Sequence, residues 1–230
     1  MNYEEKAKII RQKTIDMIYS AQHGHIGGSL SCVDILVALY YSALKNGDKF
    51  ILSKGHACMP LYFILADKGY FKENEIANFE GHPNIKIPGI VATTGSLGHG
   101  LGIGCGLAMT TKNSIFVLMG DGECQEGSVW EAAMFASHHK LNNLVGIIDY
   151  NRLGATDIVN LDPLATKWRA FDWEVVKVDG HSMTQLIFAL TINIIKPLMI
   201  IANTVKGKGV SYMEGRIEWH NKVIKERVMF

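Results

Sequence analysis

The sequence predicts a doubly wound α/β domain on a mainly parallel sheet, and three observations predict it. Short runs nearly continuous in Val, Ile and Leu recur at Phe50–Leu52, Ile115–Met119, Leu144–Ile148, Trp173–Val178 and Leu198–Ala202. Helical patterns separate them, and strands apolar on both faces belong to a parallel sheet covered on both sides. Two of the runs lead straight into polar, Gly-rich or Asn-containing turns, where sheets of this class bind ligands.

Taken in order, residues 3–21 carry Ala7, Ile10, Thr14, Met17 and Ile18 at helical spacing. Residues 31–44 (SCVDILVALYYSAL) predict a second, more apolar helix, with Ser31 as its N-cap. Further helical patterns cover 56–68, 128–141 and 184–195, and the apolar, Met-containing stretch 128–139 is expected in the core. The segment LGHGLGIGCGLA alternates glycines but contains no G-x-G-x-x-G, so the dinucleotide fingerprint fails. It predicts a helix of small residues that approaches another backbone closely, near a cofactor or a subunit interface.

Composition bounds the function. The chain has 230 residues, 23 Lys+Arg against 22 Asp+Glu, and a net charge of +1. A chain this long buries roughly 70–75% of its unfolded surface and forms a core without staples. One domain spanning 1–230 is expected. The charge balance offers no field to hold nucleic acid, and no basic amphipathic stretch suits a membrane. The charged start MNYEEKAKIIRQKT is not a secretory signal, and the most apolar region, 186–202, is broken by Thr191, Asn193, Lys196 and Pro197. The scattered cysteines 32, 58, 105 and 124 suggest a reducing cytoplasm.

The chemistry lies at two strand ends. SIFVLM runs into Gly120-Asp121-Gly122-Glu123, and NLVGII runs into Asp149-Tyr150-Asn151. One strand–helix–strand crossover separates Asp121 from Asn151, so the two can be neighbours. A carboxylate, an amide oxygen and exposed glycine N–H groups suit Mg²⁺ or Ca²⁺ together with a diphosphate. His25, His56 and His82 each follow a glycine in a non-helical context and are candidates for function; His138, His139 and His181 read as surface or structural residues.

The stretch from Asp121 to Asn151 resembles the thiamine diphosphate motif of transketolases. GHIGGSLS (24–31), SKGHACMPLY (53–62), GHP (81–83), TTGSLG (93–98), VDGH (178–181) and TVKGKGVSY (204–212) resemble transketolase segments in the same order. The likeness covers only the N-terminal, diphosphate-binding domain, and is closest to the N-terminal subunit of split transketolases. It implies ketol transfer from a ketose to an aldose-type acceptor, with thiamine diphosphate and Mg²⁺ (Ca²⁺ or Mn²⁺ also fitting) as cofactors. It also implies a separate partner chain carrying the pyrimidine-binding and C-terminal domains, two copies of each chain, and sugar or sugar-phosphate substrates.

By the same resemblance, Asp121 and Asn151 ligate the metal by side chain and Leu153 by its carbonyl. Gly122 gives an N–H to the diphosphate, Glu123 belongs to the cofactor loop, and His56 and His220 contact the cofactor near its reacting carbon. Gly95 and Leu97 line the thiamine. His25, His82 and His220 face the hydroxyls of the donor sugar, and Glu126 lies at the subunit interface. The residue types suit the task, because cleaving a ketose moves hydroxyl protons and imidazoles do this near neutral pH. Departures from the family pattern are His23, His99, the segment 153–157 with Ala155, and a short connection from Phe71 to Gly81. Two alternatives stay open: the cofactor-binding subunit of another thiamine diphosphate enzyme, of the 2-oxoacid decarboxylating or deoxyxylulose phosphate synthase type, and a non-catalytic cofactor-holding partner.

Overall fold

In a computed structural model of the chain, residues 2–154, 159–193, 195–225 and 228 are described; Ala155, singled out above, lies outside them. Helix α1, Tyr3–Ala21, starts where the Asn2 side chain accepts from the Glu5 N–H at 3.1 Å, and it buries Ala7, Ile10, Thr14, Ile15 and Ile18. The predicted helix 31–44 is instead two short helices, α2 (Ile26–Ser31) and α3 (Val33–Ala38), followed by a π-turn at Leu39–Ala43. Ser31 caps nothing. It closes α2, and its hydroxyl lies 2.6 Å from a carboxylate oxygen of Asp149, a partner remote in sequence that outweighs the local capping preference.

The sheet comprises β1 (Lys49–Leu52), β2 (Ile115–Gly120), β3 (Leu144–Tyr150), β4 (Glu174–Asp179) and β5 (Leu198–Asn203). All pairings are parallel, in the spatial order β1-β2-β3-β5-β4. The intervening helices are α4 (Met59–Asp67), α5 (His99–Thr110), α6 (Gly127–His138), α7 (Leu164–Ala170) and α8 (Met183–Thr191). Helix α7 is too short to show a clear period in the sequence.

Two cores explain the continuous apolar strands. Phe50, Leu52, Phe116, Leu118, Ile147 and Ile200 face α1, α3, α4 and α8, whereas Ile51, Ile115, Val117, Ile148 and Ile201 face α5, α6 and α7. The small-residue helix approaches closely, as expected. A Cβ on Gly100 would lie 3.0 Å from the Ser53 Cα, so α5 meets the end of β1 because glycine stands there. Helix α6 is core on one face only. Val129, Ala133 and Ala136 are buried, while Met134 and Phe135 are exposed. A third cluster joins Ile15 and Ile18 of α1 to Val210, Met213 and Trp219, folding the segment after β5 back over α1 and α2.

Candidate active site

The parallel register brings one end of every central strand to the same edge. Leu52 pairs with Leu118, Gly120 with Asp149, and Tyr150 with Asn203, so the turns at 53–56, 120–123, 150–154 and 203–207 converge. Here stand most of the residues singled out by sequence.

Asp121 is 3% exposed. Its carboxylate accepts from the Gly122 N–H at 2.8 Å and from the Arg152 N–H, which ties the turn after β2 to the turn after β3. Asn151 Oδ1 accepts from the Leu153 N–H at 3.0 Å. Among the described residues no cation forms an ion pair with Asp121. Burial, then the nearby Asp149 charge, push its carboxyl above the usual range. A buried carboxylate held only by backbone N–H groups is the donor that a cation would complete. No group of three or more His, Cys, Asp or Glu capable of holding a metal exists among the described residues. Any cation here must therefore draw on amide, backbone and ligand oxygens as well.

Glu123 is placed differently from a ligand-facing group. It is 1% exposed, and its carboxylate accepts from the Ser53 hydroxyl, the Gly98 N–H at 2.9 Å and the Gly120 N–H at 3.0 Å. It fixes three turns to one another and has no free oxygen directed outward.

The histidines form one cluster. Ring centroids lie 5.0 Å apart for His25 and His56, 5.2 Å for His25 and His220, 5.4 Å for His56 and His220, and 6.4 Å for His25 and His82. Close packing of α2 on the returning C-terminal segment makes this possible, since a Cβ on Gly27 would lie 2.6 Å from the Trp219 carbonyl oxygen. Burial, then the Lys54 charge, bring His56 down to about 2; burial, then Lys206, bring His220 down to about 4; burial, then His82, lower His25. The three imidazoles are thus uncharged at neutral pH. Each can donate one hydrogen bond and accept another. Gly95 packs on His82, and Leu97 is 36% exposed beside it along the same segment. Glu126 is exposed at the start of α6, against Gly98.

Beneath the cluster lies a polar layer that the sequence reasoning did not single out. Lys54 and Asp149 form an ion pair, with Lys54 also donating to the Gly28 carbonyl at 2.9 Å. Ser31 and Thr204 donate to the same Asp149 carboxylate. Burial alone would raise Asp149 and lower Lys54. Their mutual attraction wins, holding the carboxyl below its ordinary value and the ammonium up at about 12. Lys206, 2% exposed, donates to the carbonyls of Leu153 at 2.6 Å and Gly154 at 3.0 Å and to His220 Nδ1 at 3.2 Å. Burial, then Lys54, lower Lys206 to about 8. The S-K-G-H and T-V-K-G-K-G segments held the signal for both lysines. His23 and His99 are exposed. All four cysteines are free and buried. No helix among the described residues is long and apolar enough to cross a membrane.

Known proteins carry the same pattern. The family model described as "Transketolase, thiamine diphosphate binding domain" matches residues 3–229. One of the two subunits of an apulose-4-phosphate transketolase from Phocaeicola vulgatus is 41% identical, over 93% of this chain and 86% of that one. A 6-deoxy-6-sulfo-D-fructose transketolase subunit from a Clostridium species is 38% identical, over 99% of this chain and 94% of that one. The crystal structure of transketolase from Campylobacter jejuni superposes with a TM-score of 0.90 at 30% identity, covering 97% of this chain but 41% of that one.

Proposed function

This chain belongs to the family of the transketolase thiamine diphosphate-binding domain, and from that premise we propose that it is the N-terminal subunit of a split transketolase. It transfers a two-carbon ketol unit from a ketose to an aldose-type acceptor. One observation carries the reading: uncharged His25, His56 and His220, with His82 beside them, stand at the same sheet edge as Asp121 and Asn151. Two similar proteins spanned almost end to end are named as transketolase subunits, whereas the Campylobacter transketolase extends well beyond the shared region. That contrast supports a single diphosphate-binding domain over 1–230 here, and a second chain carrying the pyrimidine-binding and C-terminal domains. Two copies of each chain fit a cofactor clasped between halves.

The residues fit the cofactor and its metal. Asp121 supplies the anionic ligand, and its lack of a paired cation leaves it free to do so. Asn151 Oδ1 and the Leu153 carbonyl complete a set of hard oxygens that suits Mg²⁺. Lys206, which now holds the Leu153 and Gly154 carbonyls, is placed to turn its ammonium to a diphosphate oxygen. Gly122 offers its N–H, Gly95 and Leu97 line the thiamine, and Glu123 keeps the turns in register without touching the cofactor. When bound, thiamine diphosphate supplies the nucleophilic carbon and the electron sink.

The histidines do the rest. His220 Nδ1 accepts from Lys206, so Nε2 carries the ring proton and can donate to a substrate oxygen. His25 and His82 sit on either flank of the donor hydroxyls, where a neutral imidazole can take up a hydroxyl proton and return it. His56, the most deeply buried of the cluster, contacts the cofactor's inner end.

The test is reconstitution. The purified chain alone is expected to transfer no ketol unit and to bind thiamine diphosphate weakly, and mixing with its partner chain to restore both. Full ketol transfer by the isolated chain would overturn the split-enzyme reading.

A further inference from the structure

The V-D-G-H turn contains a histidine that the site does not use. His181 follows β4, and its imidazole lies between two partners. Nδ1 is 2.7 Å from an Asp34 carboxylate oxygen, and Nε2 accepts the backbone N–H of Val205 at 2.9 Å. Since Val205 can only donate, Nε2 is the acceptor and Nδ1 carries the proton toward Asp34. Asp34 is 5% exposed, and the same oxygen takes a bond from Arg11 of α1, itself 8% exposed. Four elements are thereby joined: α1 through Arg11, α3 through Asp34, the β4–α8 turn through His181, and the segment after β5 through Val205.

The local backbone is built for this contact. A Cβ on Gly180 would stand 2.4 Å from the Thr204 methyl and 2.9 Å from the Asn203 carbonyl oxygen, so only glycine lets the turn lie against the end of β5. The Gly180 N–H donates to that carbonyl at 2.7 Å, and the His181 N–H donates to Asp179 Oδ1 at 2.9 Å. Val205 immediately precedes Lys206. The neighbouring residues are anchored elsewhere, with the Thr204 N–H on Tyr150 and the Gly207 N–H on Gly27 at 3.0 Å. Val205 is held by His181, and the Val205–Lys206 peptide sets where the buried lysine stem begins.

We infer that His181 is a positioning residue, which, oriented by Asp34 and Arg11, fixes the Val205 backbone so that Lys206 presents its ammonium to the diphosphate end of the cofactor site. The inference rests on the cofactor assignment made above for Lys206. It gives the V-D-G-H turn a role in affinity without contact to the ligand. Groups that orient a ligating group typically change affinity or activity by 10–100-fold when removed.

The experiment is a double-mutant cycle on the full chain assembled with its partner, read by calorimetric affinity for thiamine diphosphate with Mg²⁺. Lys206→Met and His181→Phe are each expected to weaken binding by about 10–100-fold. The double variant is expected to be no weaker than Lys206→Met alone, because the imidazole acts only through the lysine. His181→Gln keeps one donor and one acceptor on a planar group and is expected to recover most of the affinity. Should the phenylalanine variant not fold, His181→Asn, too short to span both partners, carries the same cycle. Amide hydrogen exchange of the cofactor-free chain supplies an independent reading: exchange at Val205 rises in the variant while that of α1 stays unchanged. Additive losses, unchanged exchange at Val205, or full affinity in His181→Phe where Lys206→Met is weakened would each overturn the inference. If Lys206→Met itself binds normally, the cofactor assignment fails and takes this inference with it.

Discussion

Removing Lys54 should cost more stability than any other single polar change in the chain. Lys54 is 2% exposed and Asp149 0% exposed, and they pair at the centre of the sheet edge. In Lys54→Met the apolar stem survives and only the ammonium is lost. Asp149 then keeps two hydroxyl donors, Ser31 and Thr204, and no countercharge. Orphaning one member of a buried pair costs about 3–5 kcal/mol, since the desolvation already incurred is no longer offset. For a chain of this size each kcal/mol moves Tm by about 2–4 °C, so Tm should fall by about 6–20 °C. The pairing makes a second demand. Lys54→Met combined with Asp149→Asn should be far less destabilised than the sum of the single variants, because the double variant buries no lone charge. Denaturant unfolding of the four chains, followed by far-UV circular dichroism, gives the cycle directly. A loss below about 1 kcal/mol for Lys54→Met, or strict additivity in the double variant, would refute the buried-pair account.

Other expectations follow from the same geometry. Asp121→Asn should reduce Mg²⁺-dependent binding of thiamine diphosphate in the assembled enzyme far more than Asn151→Ala, since it removes the one anionic ligand; equal losses in titration calorimetry would count against the metal assignment. His25→Ala and His82→Ala should lower kcat by about 10²–10⁴-fold with Tm unchanged, as positioned proton-transfer groups do; kcat kept at the parental value would return both to a structural role. The folded chain refuses protons at His56 and His220 that the unfolded chain accepts, so stability should fall as pH drops from about 6.5 toward about 4, where His220 titrates. His220→Phe should flatten that slope in denaturation midpoints measured across the window, and an unchanged slope would show that the imidazole was never held neutral.

Much of the fold is legible in the sequence, and the reason differs by element. The strands announce themselves because each buries both faces, so Val, Ile and Leu run without alternation. The turns after β2 and β3 can be placed as neighbours because a single crossover separates them. The segment 31–44 misleads because its apolar residues satisfy a helical period, while the break at Cys32 and the π-turn at Leu39–Ala43 answer to packing with α1, α4 and α8. Helix α6 reads as apolar core along its length, yet Met134 and Phe135 point outward. Lys54, Asp149 and Lys206 stand inside recognisable segments without declaring their role, because a buried ion pair between residues so far apart in sequence leaves no periodic trace. His181 reads as surface or structural for the same reason: its partners come from three other elements.

The polar layer also explains why the cluster is made of neutral histidines. Lys54 is cancelled by Asp149, and the pair sits below the site rather than in it. What remains facing the edge is one uncompensated carboxylate, Asp121, and one ammonium, Lys206. A divalent cation answers the first and a diphosphate the second, so the charges of a bound metal–diphosphate are matched by two residues placed at the ends of β2 and β5. Were His25, His56 and His220 charged as well, the site would hold an excess of positive charge and bind the diphosphate without needing Asp121 or a metal. Held neutral by burial and by the two lysines, the imidazoles leave charge recognition to Asp121 and Lys206 and remain free to donate and accept protons at substrate hydroxyls.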